Sequence, residues 1–207
     1  SVAEFFHQIL TLNNIPVATI GTLGIKIKNF KKNNLTSPDV ISLHKELAKI
    51  KKKKIENVMI EASSHGLAQG RLDGINIKTG IFTNFSQDHL DYHKNMKNYL
   101  NAKLILFKRL LSKHSYLIAD GSSKEFSILK KISKKRRLKL LDSSQKTQEL
   151  KDIPNIFSDT FQSKNLAMAV LAAKISKLNN FKLEKIIGNI KNVEGRLELV
   201  KKFPNNV

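Results

Sequence analysis

The sequence contains no cysteine, which excludes disulfides, thiolate metal sites and thiol nucleophiles. It has no apolar run near the roughly 18 residues that a membrane span needs, so no membrane insertion is expected. No secretory signal pattern opens it, and a cytoplasmic location is the expectation. Acidic residues are scarce beside basic ones: 17 Asp and Glu face 37 Lys and Arg, for a net charge of +20. Arginine is itself rare, standing only at 71, 109, 136, 137 and 196. Also missing is any G-x-x-x-x-G-K-[ST] loop, the usual cradle for nucleotide phosphates.

A charge of this size raises nucleic-acid binding as a function. The two densest clusters, Lys51–Lys54 and Lys134–Arg137, argue against it, because neither is interleaved with aromatics that could stack bases. Lysine, asparagine and isoleucine are plentiful throughout, so the excess reads as solvated surface first. A patch that draws in an anionic substrate is the second reading, and specific nucleic-acid recognition the third.

At 207 residues the chain is one domain by size, with enough length for a real core. Apolar spacing predicts helices over 2–12, 40–53, 95–112, 123–132, 163–178 and 182–191. Short apolar runs predict strands at 16–20, 57–61, within 75–84, at 116–119 and at 138–141. Gly21 and Gly24 read as a turn region, 33–38 as a loop, and the polar stretch 142–160 as a surface connection. Strands alternating with helices imply an α/β fold, a mostly parallel sheet with helices on both faces. Ligands in such sheets bind outside the carboxyl ends of the strands. Glu61, Thr83-Asn84 and Asp120 all fall at predicted strand ends.

The chain begins at Ser1, directly in a helical pattern, and closes on the loop-like Phe203-Pro-Asn-Asn-Val207. Both ends predict a piece of a larger protein. Between them, polar groups gather around 61–103. Glu61 ends an apolar strand, where it is either a solvated edge residue or a ligand for a hard cation. Asp88-His-Leu-Asp-Tyr-His93 holds two histidines and two acids, which make either a capped turn or a metal site. Lys103 lies on an otherwise apolar helix, and on spacing alone it snorkels to solvent. Arg71 and Arg196 stand out because a guanidinium grips carboxylate or phosphate bidentately, though each could equally form a surface salt bridge.

The runs Glu61-Ala-Ser-Ser-His-Gly-Leu-Ala-Gln-Gly-Arg71 and Thr83-Asn-Phe-Ser-Gln-Asp-His-Leu-Asp-Tyr-His93, with Lys103 following, closely resemble the Mur ligases. Within that family the Ser-Ser-His-Gly-Leu run and Arg71 resemble the branch that adds the third amino acid of the peptidoglycan stem peptide. The folylpolyglutamate synthetases share only the Thr-Asn…Asp-His core and are the alternative, beside a basic nucleic-acid-binding domain. The resemblance implies the family's central ATP-binding domain, P-loop NTPase-like, over residues 1–203, shortened at its amino end so that the phosphate loop is missing. Residues 204–207 would begin the linker to a further domain. It implies ATP and Mg²⁺ as cofactors, and a UDP-muramoyl dipeptide (UDP-MurNAc-dipeptide) and an amino acid as substrates. No specific nucleic-acid partner is implied, and a monomer is expected.

Position by position, the resemblance makes Glu61 a Mg²⁺ ligand and His89 a ligand of a second Mg²⁺. Lys103 becomes the lysine that family members carry as a carbamate beside that ion, against the snorkelling reading. His89, Lys103 and Arg196 are accordingly the implied catalytic residues. Thr36, Ser37, Ser63 and Arg71 match positions that contact the UDP-muramoyl dipeptide. Asn165 matches an adenine contact and Arg196 an ATP-phosphate contact. The mechanism implied is attack of a carboxylate on the γ-phosphate of ATP to give an acyl phosphate, followed by attack of an amine. The piece by itself is expected to be inactive.

Overall fold

The computed structural model describes residues 1–21, 24–27, 30–32, 38–151, 160–176, 186–191 and 193. The fold is α/β, and its sheet pairing is mostly parallel. Helix α1 (Val2–Leu12) leads through Asn13 and Asn14 into strand β1 (Val17–Gly21). β1 pairs on one side, in parallel, with β4 (Asn57–Ile60), and on the other, antiparallel, with β2 (Gly24–Ile27), which pairs with β3 (Phe30–Lys32). A second, all-parallel sheet has the order β5 (Ile77–Phe82), β6 (Leu111–Ala119), β7 (Lys139–Asp142).

The antiparallel ribbon β2–β3 departs from the expectation of a turn and loop. Its residues, Gly-Ile-Lys-Ile and Phe-Lys-Lys, carry little apolar signal, and it is pairing of β2 to β1 and of β3 to β2 that makes them strands. The polar stretch 142–160 likewise holds a helix, α7 (Ser144–Lys151), anchored by the buried Leu150 and Thr147. The expected helix 95–112 is shorter: α5 (Met96–Ile105) gives way to one π-turn, Leu106–Leu110, and Leu111 already opens β6. The helix expected from Ser123 starts later, as α6 (Phe126–Arg136), because Asp120 draws Ser122 into a turn of its own. Of the helix expected over 182–191, residues 187–189 are a 3₁₀ turn and 182–185 lie outside the described residues.

α2 (Val40–Lys52) begins where the Asp39 side chain accepts from the Ser42 amide at 3.0 Å. Its last turn carries Lys49, Lys51 and Lys52, and that of α6 carries Lys134, Lys135 and Arg136. Cations there meet the partial negative charge of the helix end, which is favourable by a few tenths of a kcal/mol to about 1 kcal/mol each. Both lysine clusters therefore have a local structural role. Among the described residues no helix is long and apolar enough to cross a membrane.

Three apolar clusters hold the layers together. The largest joins α1 to α8 (Thr160–Ile175) through Phe5, Ile9, Leu10, Leu166 and Val170. A second packs Phe82, Phe107, Leu117 and Leu129 around β5 to β7, and a third packs Leu43 and Ile50 of α2 on Ile20 and Ile25. His7 is buried on the core side of α1, with Nδ1 3.4 Å from Thr11 Oγ1 and, among the described residues, no partner for Nε2. Burial, and then the charge of Lys26, hold its pKa below the ordinary 6.5 against the opposing Glu4. A depressed histidine pKa means that the unfolded chain binds the proton better, so stability is lost as pH falls from 6.5 through the folded value. Urea titrations of His7→Leu between pH 7.5 and 5 are expected to show a shallower loss of stability than the parent chain.

Candidate active site

The carboxyl ends of β4, β5 and β6 open onto one cleft of about 1740 Å³. Glu61, Thr83, Asn84 and Asp120, the residues expected at strand ends, all line it. Ser63, Lys103 and Asn165 line it as well. The Glu61 amide donates to Ile20 O at 2.8 Å, which continues the β4 ladder one residue past the strand. Its carboxylate lies directly against Gly21: a Cβ added at 21 would stand 2.5 Å from Oε2. Gly21→Ala must therefore turn Glu61 aside, and a flexible side chain can turn cheaply. The expected result, measured by thermal melts, is a fold whose stability changes by less than about 1 kcal/mol.

Ser63 caps the short helix α3 (Ser64–Ala68), its Oγ accepting from the Gly66 amide at 3.0 Å. α3 carries His65 into a cluster of rings: His65 lies 4.1 Å from Tyr92, 5.0 Å from His89 and 5.3 Å from His93, centroid to centroid. His93, at the end of α4 (Leu90–His93), is buried with Nε2 2.9 Å from Ser64 Oγ. Burial, with His65 and His89 adding to it, lowers its pKa against the pull of Asp91. Arg71 is tied to the edge of this cluster: Nε donates to Gln69 Oε1 at 2.9 Å, and Gln69 Nε2 donates to Tyr92 Oη at 3.3 Å.

Lys103 does not snorkel. Its ammonium sits 5.5 Å from the centroid of the Phe82 ring and 5.4 Å from that of Tyr99. Burial lowers its pKa, opposed by the carboxylates of Asp88 and Glu125. Tyr99, one turn earlier on the same face of α5, separates Lys103 from His89, whose ring meets Tyr99 edge-on at 6.0 Å. Helical i, i+4 spacing is the signal by which Tyr99 could have been found. His89 itself has a left-handed backbone, φ 53°, fixed by its amide donating to Asp88 Oδ1 at 2.8 Å.

On the far wall Asp120 is buried and paired with Lys164 at 2.6 Å. Burial raises its pKa, but hydrogen bonds from Lys164 and Ser122 outweigh that and hold it below the ordinary carboxylate value. Lys164 adjoins Asn165, so the pair fixes the stretch of α8 that presents Asn165 to the cleft. Lys164 carries no local signal, since its partner stands 44 positions away in the chain. Beside it, Asp142 accepts from the amides of Gly121 and Ser144, each at 2.8 Å, joining the ends of β6 and β7. Thr36, Ser37 and Arg196 lie outside the described residues.

Glu61 suits Mg²⁺, which takes one or two carboxylates and completes its shell with phosphate and water oxygens. The second expected set fits less well as it stands. His89 is not in the cleft lining, and Lys103 as an ammonium repels a cation. Among the described residues no three His, Asp or Glu side chains are grouped to hold an ion.

The family model of the Mur ligase middle domain matches residues 1–192. The chain belongs to this family. A relative from Rickettsia bellii (strain RML369-C), named UDP-N-acetylmuramoyl-L-alanyl-D-glutamate--2,6-diaminopimelate ligase, is 34% identical over 97% of this chain and 48% of its own length. A relative of the same name from Brucella melitensis biotype 1 is 45% identical over 55% of this chain and 23% of its own. The chain thus spans half or less of these relatives. Among solved structures, one of a UDP-N-acetylmuramoyl-L-alanyl-D-glutamate--2,6-diaminopimelate ligase superposes with a TM-score of 0.79 at 21% identity, covering 97% of this chain and 46% of that one. MurF from Acinetobacter baumannii superposes with a TM-score of 0.70 at 14% identity, over 99% of this chain and 46% of its own. At such identities the two structures establish the Mur ligase middle-domain fold alone.

Proposed function

We propose that residues 1–203 work as the middle domain of a longer ATP-dependent amide ligase of peptidoglycan synthesis. Its acceptor would be UDP-N-acetylmuramoyl-L-alanyl-D-glutamate, and its incoming amine 2,6-diaminopimelate, the pair that the relatives' names print. One observation carries the reading: Glu61 just past β4, Lys103 on α5 and Asn165 on α8 line a single cleft.

In this reading a carboxylate of the muramoyl dipeptide attacks the γ-phosphoryl group of ATP, giving an acyl phosphate and ADP. The amine then attacks the acyl carbon, phosphate leaves, and the nitrogen gives up a proton. Glu61 would hold Mg²⁺, whose charge offsets that of the phosphates when it is bound. Asn165, steadied by the Asp120–Lys164 pair, would meet the adenine. Ser63 and Arg71 would contact the muramoyl dipeptide from one side of α3, with Thr36 and Ser37 as further contacts and Arg196 toward the ATP phosphates. Lys103 has a pKa lowered by burial, and therefore a larger share of the uncharged amine that can combine with CO₂. A carbamate there would replace a positive charge by a negative one, with the Tyr99 ring between it and His89, and would supply oxygens for a second ion. The domain would act as a cytoplasmic monomer.

The test is phosphate release by the full-length ligase that carries this domain. Release is expected only when ATP, the UDP-muramoyl dipeptide and the diamino acid are all present, and residues 1–207 alone are expected to give none. Release that ignores the dipeptide or the amine would overturn the reading.

A further inference from the structure

Three strands are each entered from a helix on the same side of the sheets. α2 leads into β4, α5 with its π-turn into β6, and α6 into β7. The apolar cluster under α2 and the one under α5 and α6 both take in Ala62, Ile77 and Leu110. α1 and α8 pack on the other side, against Met59, Ile81 and Ile118, which leave the opposite face of their strands. A helix that feeds a parallel strand ends at the amino end of that strand. Three helix ends therefore line one edge, opposite the strand carboxyl ends, and each carries cations. Lys51–Lys54 close α2, Lys108 and Arg109 stand in the π-turn, and Lys134–Arg137 close α6.

β6 adds a fourth group. Its residues Leu111 and Tyr116 oppose Ile77 and Thr79 of β5, five steps against two, so the surplus residues bulge from the ladder. Lys113 and His114 are exposed on this bulge. It is fixed to the end of α6: the His114 amide donates to Arg137 O, and Arg136 Nη2 donates to Leu111 O, each at 2.8 Å. Among the described residues, the acids in these turns are Asp73, which is taken up by Arg109 at 2.7 Å, and Glu56, which follows four lysines. Attraction to a helix end fades beyond the last turn, so it does not account for Lys113 on a strand.

We propose that this edge is a docking face for an anionic lipid surface, met reversibly and without insertion. Proteins hold nucleic-acid phosphates with backbone amides and helix amino ends as well as with side chains. This edge presents helix carboxyl ends, whose partial charge is negative. Nor is the one ring nearby open for base stacking, since Lys139 Nζ covers Tyr116 at 5.2 Å from its centroid. None of the exposed large hydrophobic side chains among the described residues lies in these turns, so nothing there would enter hydrocarbon. What the edge offers is lysine and arginine on long stems at several points, which a charged bilayer attracts without needing exact contacts. Docking in this way leaves the strand carboxyl ends, with Glu61 and Asp120, turned away from the lipid. The inference stands on the placement of charge and does not depend on the ligase reading.

The experiment is co-sedimentation of residues 1–207 with phosphatidylcholine vesicles, with and without about one-third phosphatidylglycerol, at about 0.1 M salt. Binding is expected to the anionic vesicles alone, and it should be lost at about 0.5 M salt, where screening shortens the reach of each charge. Lys52→Gln/Lys113→Gln/Lys135→Gln, with one change in each of three parts of the edge, is expected to weaken binding about tenfold or more. Lys94→Gln/Lys97→Gln/Lys124→Gln removes the same charge from exposed positions at the other end of the domain, and should weaken it less than about threefold. Equal loss in the two variants, or equal binding to the neutral vesicles, would overturn the proposal. So would tighter binding of duplex DNA or poly(U) RNA than of the anionic vesicles at the same salt, since the edge would then serve nucleic acid. If the edge variant does not fold, judged by circular dichroism, its three changes are made singly. Each is then expected to weaken binding about threefold or more, and no weakening in any of them counts against the face. No nucleotide substrate enters these measurements, so their failure and failure of the ligase assay are distinguishable.

Discussion

Lys103→Met is expected to raise the melting temperature of residues 1–207 and, in the reading proposed above, to slow the full-length ligase by about 10² to 10³ times, or more. The two effects have one cause. Burial disfavours the ammonium, and the neighbouring Asp88 and Glu125 carboxylates only partly offset it. A lysine whose folded pKa lies below 10.5 binds its proton less well in the folded state. Its penalty on stability is complete below the folded pKa and fades as pH rises from there to 10.5. Methionine keeps the apolar stem against Phe82 and Tyr99 and removes the buried charge. Melting curves at pH 7 and pH 10 check the physics: the advantage of Lys103→Met should shrink at the higher pH. Phosphate-release assays check the chemistry. A variant that is both less stable and fully active would contradict both halves.

Phe5→Ala is expected to destabilise the domain by about 3–5 kcal/mol, a large share of the 5–15 kcal/mol typical of a folded domain. Phe5 is 0% exposed and packs in the cluster that binds α1 to α8. Its loss leaves a cavity between two helices whose other contacts, from Ile9, Leu10, Leu166 and Val170, are equally buried and have little room to collapse. Urea unfolding should show a lower midpoint at an unchanged slope. Exposed Phe161, at 63%, is the control, and Phe161→Ala should move the midpoint far less.

The strand ends were legible in the sequence because each follows a short apolar run: Glu61 after Ile60, Thr83 after Phe82, Asp120 after Ala119. All three residues line the cleft. What escaped was structure that depends on distant partners. β2 exists by pairing with β1 and β3 by pairing with β2, and α7 through the burial of Leu150 and Thr147, so none leaves a strong local period. Lys103 shows the same limit from the other side. Its spacing fits a surface lysine, and only the rings of Phe82 and Tyr99, one of them 21 positions earlier, reveal that it points inward. The Asp120–Lys164 pair spans a still longer loop and carries no motif of its own.

The π-turn Leu106–Leu110 sets the bearing of the helix that precedes it. A π-turn holds one residue more than an α-turn, and each residue advances an α-helix by about 100°. With Leu111 locked into β6, that surplus residue works as a phase adjuster for everything upstream in α5. Deleting one residue from the turn would rewind it to regular helix and swing Lys103 about a quarter-turn around the barrel of α5, away from Phe82 and out of the cleft. The angular setting of this lysine is therefore stored downstream of it, in the π-turn and not in its own turn of the helix.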